Sequence, residues 1–255
     1  MNEYKGFDKD FKLSGKVALI TGGASGIGLA IAQLFAEKGA KLALFDLSDK
    51  VDEVAKSISA DARGYQMDVS KKDQIDAVVA KVAADFGGID ILCNVAGIGD
   101  MMPAEEIQED RWNQIVGINL SGLFFMSQAV GKHMIASGKG GKIINMASQA
   151  GVIGLWGHAC YGATKAGVIN LTKVLAVEWG KYGINVNAVS PTVTMTPMGK
   201  EFWVGEKAEN HLRELPIGRF AEPDEVAAGV LFLASDAANI ITGENLKIDG
   251  GYTAH

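Results

Sequence analysis

The chain has 255 residues, of which 48% are hydrophobic and 21% charged, and its formal net charge is −6. This length fits one α/β domain with a large core, and the acidic balance argues against nucleic acid as a partner. The sequence starts without the apolar core of a signal peptide, and no apolar stretch approaches the ~20 residues that span a bilayer. The two cysteines, Cys93 and Cys160, do not have the spacing of metal ligands or of a redox pair. We therefore expect a cytoplasmic protein with reduced thiols, no metal and no membrane partner.

The first predicted unit is a strand, a glycine turn and a helix. The apolar run from Lys16 to Thr21 has the length of a buried strand, and helical periodicity extends from Leu29 to Glu37. Glycines in the intervening segment let the backbone approach a phosphate closely, and the helix N-terminus offers unpaired N–H groups. In this context the pattern predicts a dinucleotide-binding turn. Its residues are Thr21-Gly22-Gly23-Ala24-Ser25-Gly26-Ile27-Gly28.

An acid follows the second predicted strand, which extends from Lys41 to Phe45. Asp46 stands 18 residues after Gly28, a spacing that suits a carboxylate on the adenine ribose 2′-hydroxyl. A carboxylate there would repel a 2′-phosphate, and positions 23–25 and 47–48 contain no Arg or Lys that would bind one. The pattern therefore favours NAD over NADP. The alternative is a loop acid that caps the next helix.

Further strands and helices alternate along the rest of the chain. We predict helices over Val51–Ile58, Lys71–Asp85 (capped by Ser70), Glu109–Ala136, Tyr161–Lys181 and Pro223–Ala234, and strands over Arg63–Met67, Ile89–Cys93, Lys142–Ala147, Ile184–Val189 and Leu246–Ile248. Repeated strand–helix units imply a single domain, residues 1–255, of the α/β class: a Rossmann-like, doubly wound parallel sheet of about seven strands with helices on both faces. Ligands bind such sheets beyond the carboxyl ends of the strands, where Asp46, Asp68, Asn94 and Ser148 follow strands.

Two of the predicted helices, 109–136 and 161–181, have apolar residues around much of their surface. A helix that is apolar all round is buried on both sides, and the sheet can bury only one of them. We therefore expect these helices to contact a second subunit. The segment 198–216 has weak periodicity and predicts a long irregular lid over a ligand site.

Three side chains around the predicted fifth strand form a candidate catalytic set. Tyr161 and Lys165 are four residues apart, so on a helix they share one face. A fixed ammonium beside a phenol favours the phenolate and lowers its pKa from about 10. Ser148 follows the strand and would hydrogen-bond a carbonyl or alcohol oxygen near the tyrosine. The set predicts proton transfer to or from a hydroxyl oxygen.

These motifs together resemble the classical short-chain dehydrogenase/reductase family, over the region from Leu13 to Tyr252. The resemblance depends on the order and spacing of several motifs, which are Thr21-xxx-Gly26-Ile27-Gly28, Asp68-Val69, Asn94-x-Ala96-Gly97, Asn119, Ser148, Tyr161-xxx-Lys165 and the segment after Pro191. It implies an NAD-dependent oxidoreductase that interconverts a secondary alcohol and a ketone, and a homotetramer whose dimer contact uses the two apolar helices.

The resemblance also implies a role for each matching residue. Tyr161 is the general acid/base, Ser148 hydrogen-bonds the reacting oxygen, and Lys165 binds the nicotinamide ribose and lowers the pKa of the tyrosine. Asn119 holds a water that links Lys165 to solvent, pins the long helix, or does both. The other implied cofactor contacts are Gly22, Ser25, Gly26, Ile27 and Gly28 at the pyrophosphate, Asp46 at the ribose, Asp68 and Val69 at the adenine, the motif Asn94, Ala96 and Gly97, and Pro191, Val193, Thr194 and Thr196 near the carboxamide.

Two residues depart from the family pattern, and the second of them bears on the substrate class. Val95 replaces a second asparagine, and Thr192 replaces the glycine that usually follows Pro191. The second departure, together with Gln149 directly after Ser148 and His158 three residues before the tyrosine, resembles xylulose reductases and related polyol dehydrogenases. Xylulose reductases, however, use NADP and have a basic cofactor site that this chain lacks.

A pocket of Gln149, His158 and Trp203 beside Ser148 and Tyr161 suits an uncharged polyhydroxy compound, since a phosphate or carboxylate would call for an arginine. The leading prediction is an NAD-dependent polyol dehydrogenase acting on a small molecule. Alternatives are a 3-oxoacyl-carrier-protein reductase, another secondary-alcohol dehydrogenase, and a non-catalytic nicotinamide-binding sensor. Two alternatives remain: His158 is a loop histidine that contacts no ligand, and Trp203 only packs within the lid. No role is predicted for His133, His211 and His255.

Overall fold

Seven parallel strands form one sheet in the computed structural model, which describes residues 6–254. The strands are β1 (Val17–Thr21), β2 (Lys41–Asp46), β3 (Ala62–Gln66), β4 (Ile91–Asn94), β5 (Gly141–Met146), β6 (Ile184–Pro191) and β7 (Asn245–Ile248). Their order in the sheet is β3-β2-β1-β4-β5-β6-β7, so the chain winds outward in both directions from the β1–β4 pair. The predicted doubly wound α/β fold is confirmed. Residues 1–5 and His255, at the ends of the predicted domain, lie outside the described residues.

Helices cover both faces of the sheet because side chains alternate along each strand. The helices are α1 (Gly26–Glu37), α2 (Val51–Ile58), α3 (Lys72–Phe86), α4 (Glu109–Val116), α5 (Leu123–Ser137), α6 (Ala159–Trp179), α7 (Pro197–Phe202), α8 (Gly205–Glu214) and α9 (Pro223–Ala234). In β2, Leu42 and Leu44 join one core cluster with α1 and α9. Ala43 and Phe45, which point the other way, join a second cluster with α3 and α5.

The predicted helix over Glu109–Ala136 is interrupted in the structure. Between α4 and α5 the chain forms a π-helical segment, Gly117–Gly122, which contains Asn119. Single π-helical turns of this kind are rare and are often found at functional sites. The interruption turns the side chain of Asn119, which is 1% exposed, toward the loop after β4, where it bonds Ile98.

The expectation of an irregular segment over 198–216 is wrong, because most of it forms the two short helices α7 and α8. Thr196 caps α7 by accepting a hydrogen bond from the Gly199 amide (3.0 Å), and Pro197 occupies the first helical position. In α8 only Ala208 and His211 are buried. Helices this short, with one narrow buried face, leave little periodicity for sequence analysis to detect.

Two other helices, α1 and α3, begin at residues other than those predicted. Helix α1 begins at Gly26, inside the glycine turn, and not at Leu29. Ser70 does not cap α3, which begins at Lys72; the Ser70 amide instead donates to the Asp68 carboxylate at 2.8 Å. Both shifts concern residues at the carboxyl edge of the sheet.

Candidate active site

The glycine turn brings bare backbone to the carboxyl end of β1. A Cβ on Gly28 would lie 2.1 Å from the carbonyl oxygen of Gly22, so only glycine fits there. Ser25 precedes α1 without a side-chain cap, and the first turn of α1 has no acidic residue. The N–H groups of this helix end are therefore left for an anion, as the sequence predicted for a phosphate.

Asp46 ends β2 and lies directly against the glycine turn. Its Oδ2 accepts a hydrogen bond from the Ala24 amide (3.1 Å), and its Oδ1 accepts one from the Ser48 amide (3.0 Å). Two backbone bonds fix the carboxylate beside the turn. The residue belongs to β2 and does not cap α2, whose N-cap residue is Lys50.

The ends of β1 and β4 are tied together by one hydroxyl. Thr21 Oγ1 accepts from the amides of Val95 (3.0 Å) and Ala96 (3.1 Å). The side chain of Asn94 points into the protein, where Nδ2 donates to Ser127 Oγ and to Asn145 Oδ1, each at 2.9 Å. A cofactor contact in this motif would therefore involve its backbone more readily than the Asn94 amide.

Asn119 holds the loop after β4. Its Oδ1 accepts from the Ile98 amide and its Nδ2 donates to the Ile98 carbonyl, both at 2.9 Å. A Cβ on Gly97 would lie 3.2 Å from Asn119 Oδ1 and 3.6 Å from Lys165 Nζ. The two bonds to Ile98 tie Asn119, and with it the π-helical segment, to the loop after β4.

Tyr161 and Lys165 lie one turn apart on α6, where Lys165 is buried and Tyr161 is partly exposed at the cavity, with Lys165 Nζ 5.5 Å from the centroid of the tyrosine ring. Nζ donates to the carbonyl oxygen of Met146 (2.7 Å), and burial lowers the pKa of Lys165 to about 8. We expected Lys165 to lower the pKa of Tyr161. Among the residues of the chain itself burial has the larger effect and raises that pKa, while the hydrogen bond with Ser148 acts to lower it.

A cavity of about 350 Å³ unites the catalytic set with the predicted substrate and carboxamide segments. Among its lining residues are all the predicted substrate contacts, which are Ser148, Gln149, His158, Tyr161 and Trp203, together with Ile27, Pro191, Thr192, Val193, Thr194 and Thr196. His158 lies edge-to-face on Tyr161 with 6.0 Å between ring centroids, and its Nδ1 lies 2.8 Å from the Trp156 carbonyl oxygen. The structure therefore places the residues that resemblance assigned to the substrate and the carboxamide in one cavity with Ser148 and Tyr161. Asp68 and Val69 follow β3, outside this lining.

Sequence analysis missed two cations at the cavity. Arg111 lines it, but its Nε donates to Asp100 at 2.7 Å, so the pair carries no net charge. Lys207 also lines it and lies 4.4 Å from the centroid of a Trp203 ring. No motif in the sequence marks these residues, because each reaches the cavity only through the tertiary position of its helix, α4 for Arg111 and α8 for Lys207.

His211 is a second omission. It is 8% exposed, and its Nε2 lies 3.3 Å from Nε2 of Gln149. Burial lowers its pKa. A histidine on a short polar helix carries no sequence signal that distinguishes it from a surface residue.

Residues 6–254 contain neither a cluster of metal ligands nor a helix that could cross a membrane. In this part of the chain no group of three His, Cys, Asp or Glu side chains is arranged to hold a metal ion. Within the same residues no helix combines the length and the apolar character that crossing a membrane would need.

Known proteins resemble this one over nearly its whole chain. Residues 22–253 match the family described as enoyl-(acyl carrier protein) reductase. The chain is 51% identical over 251 residues to the NAD-dependent glycerol dehydrogenase of Listeria innocua serovar 6a, with 98% of each chain covered. It is 50% identical over 250 residues to the D-threitol dehydrogenase of Mycolicibacterium smegmatis, with 96% of each covered.

Among solved structures, that of gox2181 superposes with a TM-score of 0.92 at 35% identity, covering 96% of this chain and 98% of the other. At this TM-score the two chains share the same fold over nearly their whole length. The chain belongs to the classical short-chain dehydrogenase/reductase family and has polyol dehydrogenases among its relatives.

Proposed function

We propose that this protein is an NAD-dependent dehydrogenase that interconverts a small polyol and the corresponding ketone. The observation that carries the proposal is the cavity, where Tyr161 and Ser148 meet the polar side chains of Gln149 and His158 and the ring of Trp203. Polyol hydroxyls both donate and accept hydrogen bonds, so they complement such a wall. The names of the two relatives at about half identity support the same substrate class.

The residues at the carboxyl edge of the sheet fit a nicotinamide dinucleotide. The close approach of Gly28 to the Gly22 carbonyl packs the start of α1 tightly onto the turn, and the uncapped end of α1 suits a pyrophosphate. Asp46 suits an unphosphorylated ribose because its carboxylate would repel a 2′-phosphate. For the adenine we retain Asp68 and Val69, and for the carboxamide the segment from Pro191 to Thr196.

The chain's own residues supply binding, orientation and proton transfer. When bound, the cofactor supplies the acceptor of the hydride. Tyr161 acts as the phenolate, which the Ser148 hydrogen bond and the Lys165 ammonium favour, and takes the proton of the reacting hydroxyl, while Ser148 hydrogen-bonds the same oxygen. Lys165 uses one N–H on the Met146 carbonyl, which leaves two donors for ribose hydroxyls. Residues 198–216, with Trp203 in the cavity wall, form the lid over the substrate.

The test is NAD⁺ reduction, followed by absorbance, with a panel of three- to six-carbon polyols and simple secondary alcohols. NADP⁺ and the Tyr161→Phe variant are assayed in parallel. We expect turnover of at least one polyol with NAD⁺, and a loss of roughly 10²–10⁴-fold in kcat for the variant. Activity with NADP⁺ alone would contradict the role of Asp46. Cofactor binding without turnover of any alcohol would favour the sensor.

A 3-oxoacyl-carrier-protein reductase is the second candidate, because the matching family is described by acyl-carrier chemistry. A carrier protein would call for an exposed basic patch beside the site. Arg111 is paired with Asp100, and Lys207 lies over Trp203, so the cations at the cavity are already engaged. Reduction of a 3-oxoacyl thioester with no polyol oxidation would establish this candidate instead.

We also propose that the protein is a cytoplasmic homotetramer. Apolar side chains remain exposed on α4 and α6, where Trp112 is 41%, Val174 43% and Val177 84% exposed. A homotetramer in which segments 109–136 and 161–181 form the dimer contact would cover them. Light scattering should give four times the 26.9 kDa of one chain, and a stable monomer would contradict the assembly. The two free, buried cysteines support a cytoplasmic location.

A further inference from the structure

The lid, residues 198–216, joins the rest of the chain at a narrow neck. The Ala221 amide donates to the Val193 carbonyl (3.0 Å), and the Met195 amide donates to the Ala221 carbonyl (2.9 Å). The segments that enter and leave the lid therefore lie side by side, as a parallel bridge between Thr194 and Ala221. A segment joined in this way can move as one body unless contacts beyond the neck fix it.

The contacts that fix the end of α8 come from the C-terminal segment, residues 249–253, which follows β7. The amide of Ile217 donates to the carbonyl of Gly250 (3.2 Å). The hydroxyl of Tyr252 donates to the carboxylate of Glu214 (2.7 Å), and its ring stacks on His211 with 4.5 Å between centroids. One buried side chain thus contacts two residues of α8 that lie one turn apart.

The C-terminal segment is itself tied to the sheet. Asp249 directly follows the last residue of β7, and its carboxylate accepts hydrogen bonds from the Gly251 amide (3.0 Å) and the Thr253 amide (3.1 Å). These bonds close a tight turn around Tyr252, whose own amide donates to the Asp249 carbonyl (3.0 Å). Tyr252 therefore connects α8 to an element that does not belong to the lid.

The bond between Tyr252 and Glu214 is a large part of what holds α8. Burial and the hydrogen bond to Glu214 raise the pKa of Tyr252 to about 12, so the hydroxyl remains a donor throughout the neutral range. A hydrogen bond to a charged acceptor is roughly twice as strong as one between neutral groups. Within α8 itself only Ala208 and His211 are buried, so few other side chains anchor the helix.

We propose that Tyr252 is a positioning residue: its bond to Glu214 and its stacking on His211 form a latch between the lid and the sheet. His211 also contacts the ring of Trp203, with 4.8 Å between centroids, and Trp203 lines the cavity. The latch therefore keeps the cavity wall in place and strengthens binding of the alcohol without taking part in proton transfer. The inference deepens the proposed function, and its kinetic consequence rests on that function.

The kinetic test removes only the hydroxyl. Tyr252→Phe keeps the ring on His211 but cannot bond Glu214. With the polyol that wild type oxidises best, we expect the KM for the polyol to rise about tenfold, which corresponds to the loss of one hydrogen bond. The KM for NAD⁺ should not change, and kcat should not fall. Glu214→Gln keeps an acceptor oxygen and should stay within about threefold of wild type, whereas Glu214→Leu should match Tyr252→Phe.

The matched control is Tyr65→Phe. The hydroxyl of Tyr65 donates to the Asp85 carboxylate (2.9 Å), and its pKa is also raised to about 12, first by burial. This tyrosine lies on β3, the edge strand opposite β7, so its bond is of the same kind but far from the lid. The control should leave every kinetic constant unchanged. An equal rise in KM in both variants would contradict the latch, as would a fall in kcat with an unchanged KM in Tyr252→Phe.

A second readout does not depend on turnover. Trypsin cleaves after lysine and arginine, and the lid contains Lys200, Lys207 and Arg213. We expect limited digestion to cut the lid about tenfold faster in Tyr252→Phe than in wild type or Tyr65→Phe, because cleavage follows the population of the open form. Fragment masses locate the cuts, and an unchanged rate within the lid would overturn the inference. Faster cleavage in a protein that oxidises no alcohol would refute the proposed function and leave the latch standing.

Discussion

The glycine turn and the lid helices border the same cavity but are built in different ways. The turn depends on contacts between residues close in sequence, such as the 2.1 Å approach that a Cβ on Gly28 would make to the Gly22 carbonyl. The wall formed by α7 and α8 depends on residues far apart, such as Gln149 and His211, which are 62 positions apart. We call the glycine turn with Asp46 the cofactor half of the site, and Gln149, His158 and the helices α7 and α8 the substrate half. Local backbone geometry specifies the cofactor half, whereas tertiary packing specifies the substrate half.

This difference explains how one family keeps its chemistry while its substrates vary. Changing the turn disturbs the backbone itself, so few residues are tolerated there. Changing a side chain in α7 or α8 alters the cavity wall and leaves the sheet intact, because these helices lie outside the main core clusters. A substitution in one half should therefore leave the function of the other half intact.

The largest effect should come from breaking the turn. Gly28→Ala places a methyl group against the Gly22 carbonyl, so backbone must move. We expect a loss of about 1–3 kcal/mol in the free energy of unfolding and a large loss of NAD⁺ affinity. Urea unfolding and a fluorescence titration with the cofactor measure the two quantities.

The matched control is Gly180→Ala, at a helical backbone position (φ −54°) where an added Cβ meets nothing within 4 Å. It should be neutral or stabilise the protein by about 0.4–1 kcal/mol. Wild-type cofactor affinity in Gly28→Ala would show that the turn does not approach the pyrophosphate.

A smaller and more selective effect is expected at Asp46. Asp46→Asn keeps an oxygen for the Ala24 amide but removes the charge. The ratio of kcat/KM for NAD⁺ over NADP⁺ should fall by roughly 10–100-fold, since a charged hydrogen bond to the ribose is lost and repulsion of a 2′-phosphate ends. Asp49→Asn, at an exposed acid three residues on, should leave the ratio unchanged. An equal change in both variants would point to net charge as the cause.

The cofactor half could be predicted from sequence for the same reason that it is sensitive to substitution. Strand, glycines and helix follow one another within residues 16–37, and Asp46 stands at a spacing that the fold makes fixed. The parallel, doubly wound sheet also followed from repeated strand–helix units. One local prediction in this region was wrong. Serine is a common helix N-cap, yet the Ser70 amide donates to Asp68, and α3 begins two residues after Ser70.

The substrate half resisted prediction because its contacts do not repeat along the chain. Gln149, His158 and Trp203 were chosen by resemblance, and the cavity contains all three. Asp100, Arg111, Lys207 and His211 were missed because their positions depend on how α4 and α8 pack. The apolar residues of α8 are too few to show a period, so the helix itself was missed.

Trp203 should affect the substrate half alone. Trp203→Leu removes the ring that lies against His211 and Phe220. We expect the KM for the polyol to rise about three- to tenfold, in line with the loss of one or two aromatic contacts, with no change in the KM for NAD⁺. Trp156→Leu, at a ring that is 72% exposed on the loop before α6, is the control and should change neither constant. A rise in the KM for NAD⁺ in Trp203→Leu would mean that the two halves are coupled.

The smallest effect concerns the pH dependence of stability. Burial lowers the pKa of His211 in the folded protein, whereas in the unfolded chain it is about 6.5. Below that pH the unfolded state binds a proton that the folded state resists, so this contribution is complete above about pH 6.5 and is lost as the pH falls toward the folded pKa. His211→Gln cannot take up the proton. The difference in unfolding free energy between wild type and this variant, from urea midpoints, should therefore favour wild type less at about pH 5.5 than at about pH 8. Parallel curves would show that the His211 ring is not shielded from water, and the substrate half would then lack the rigid contact between α8 and Gln149.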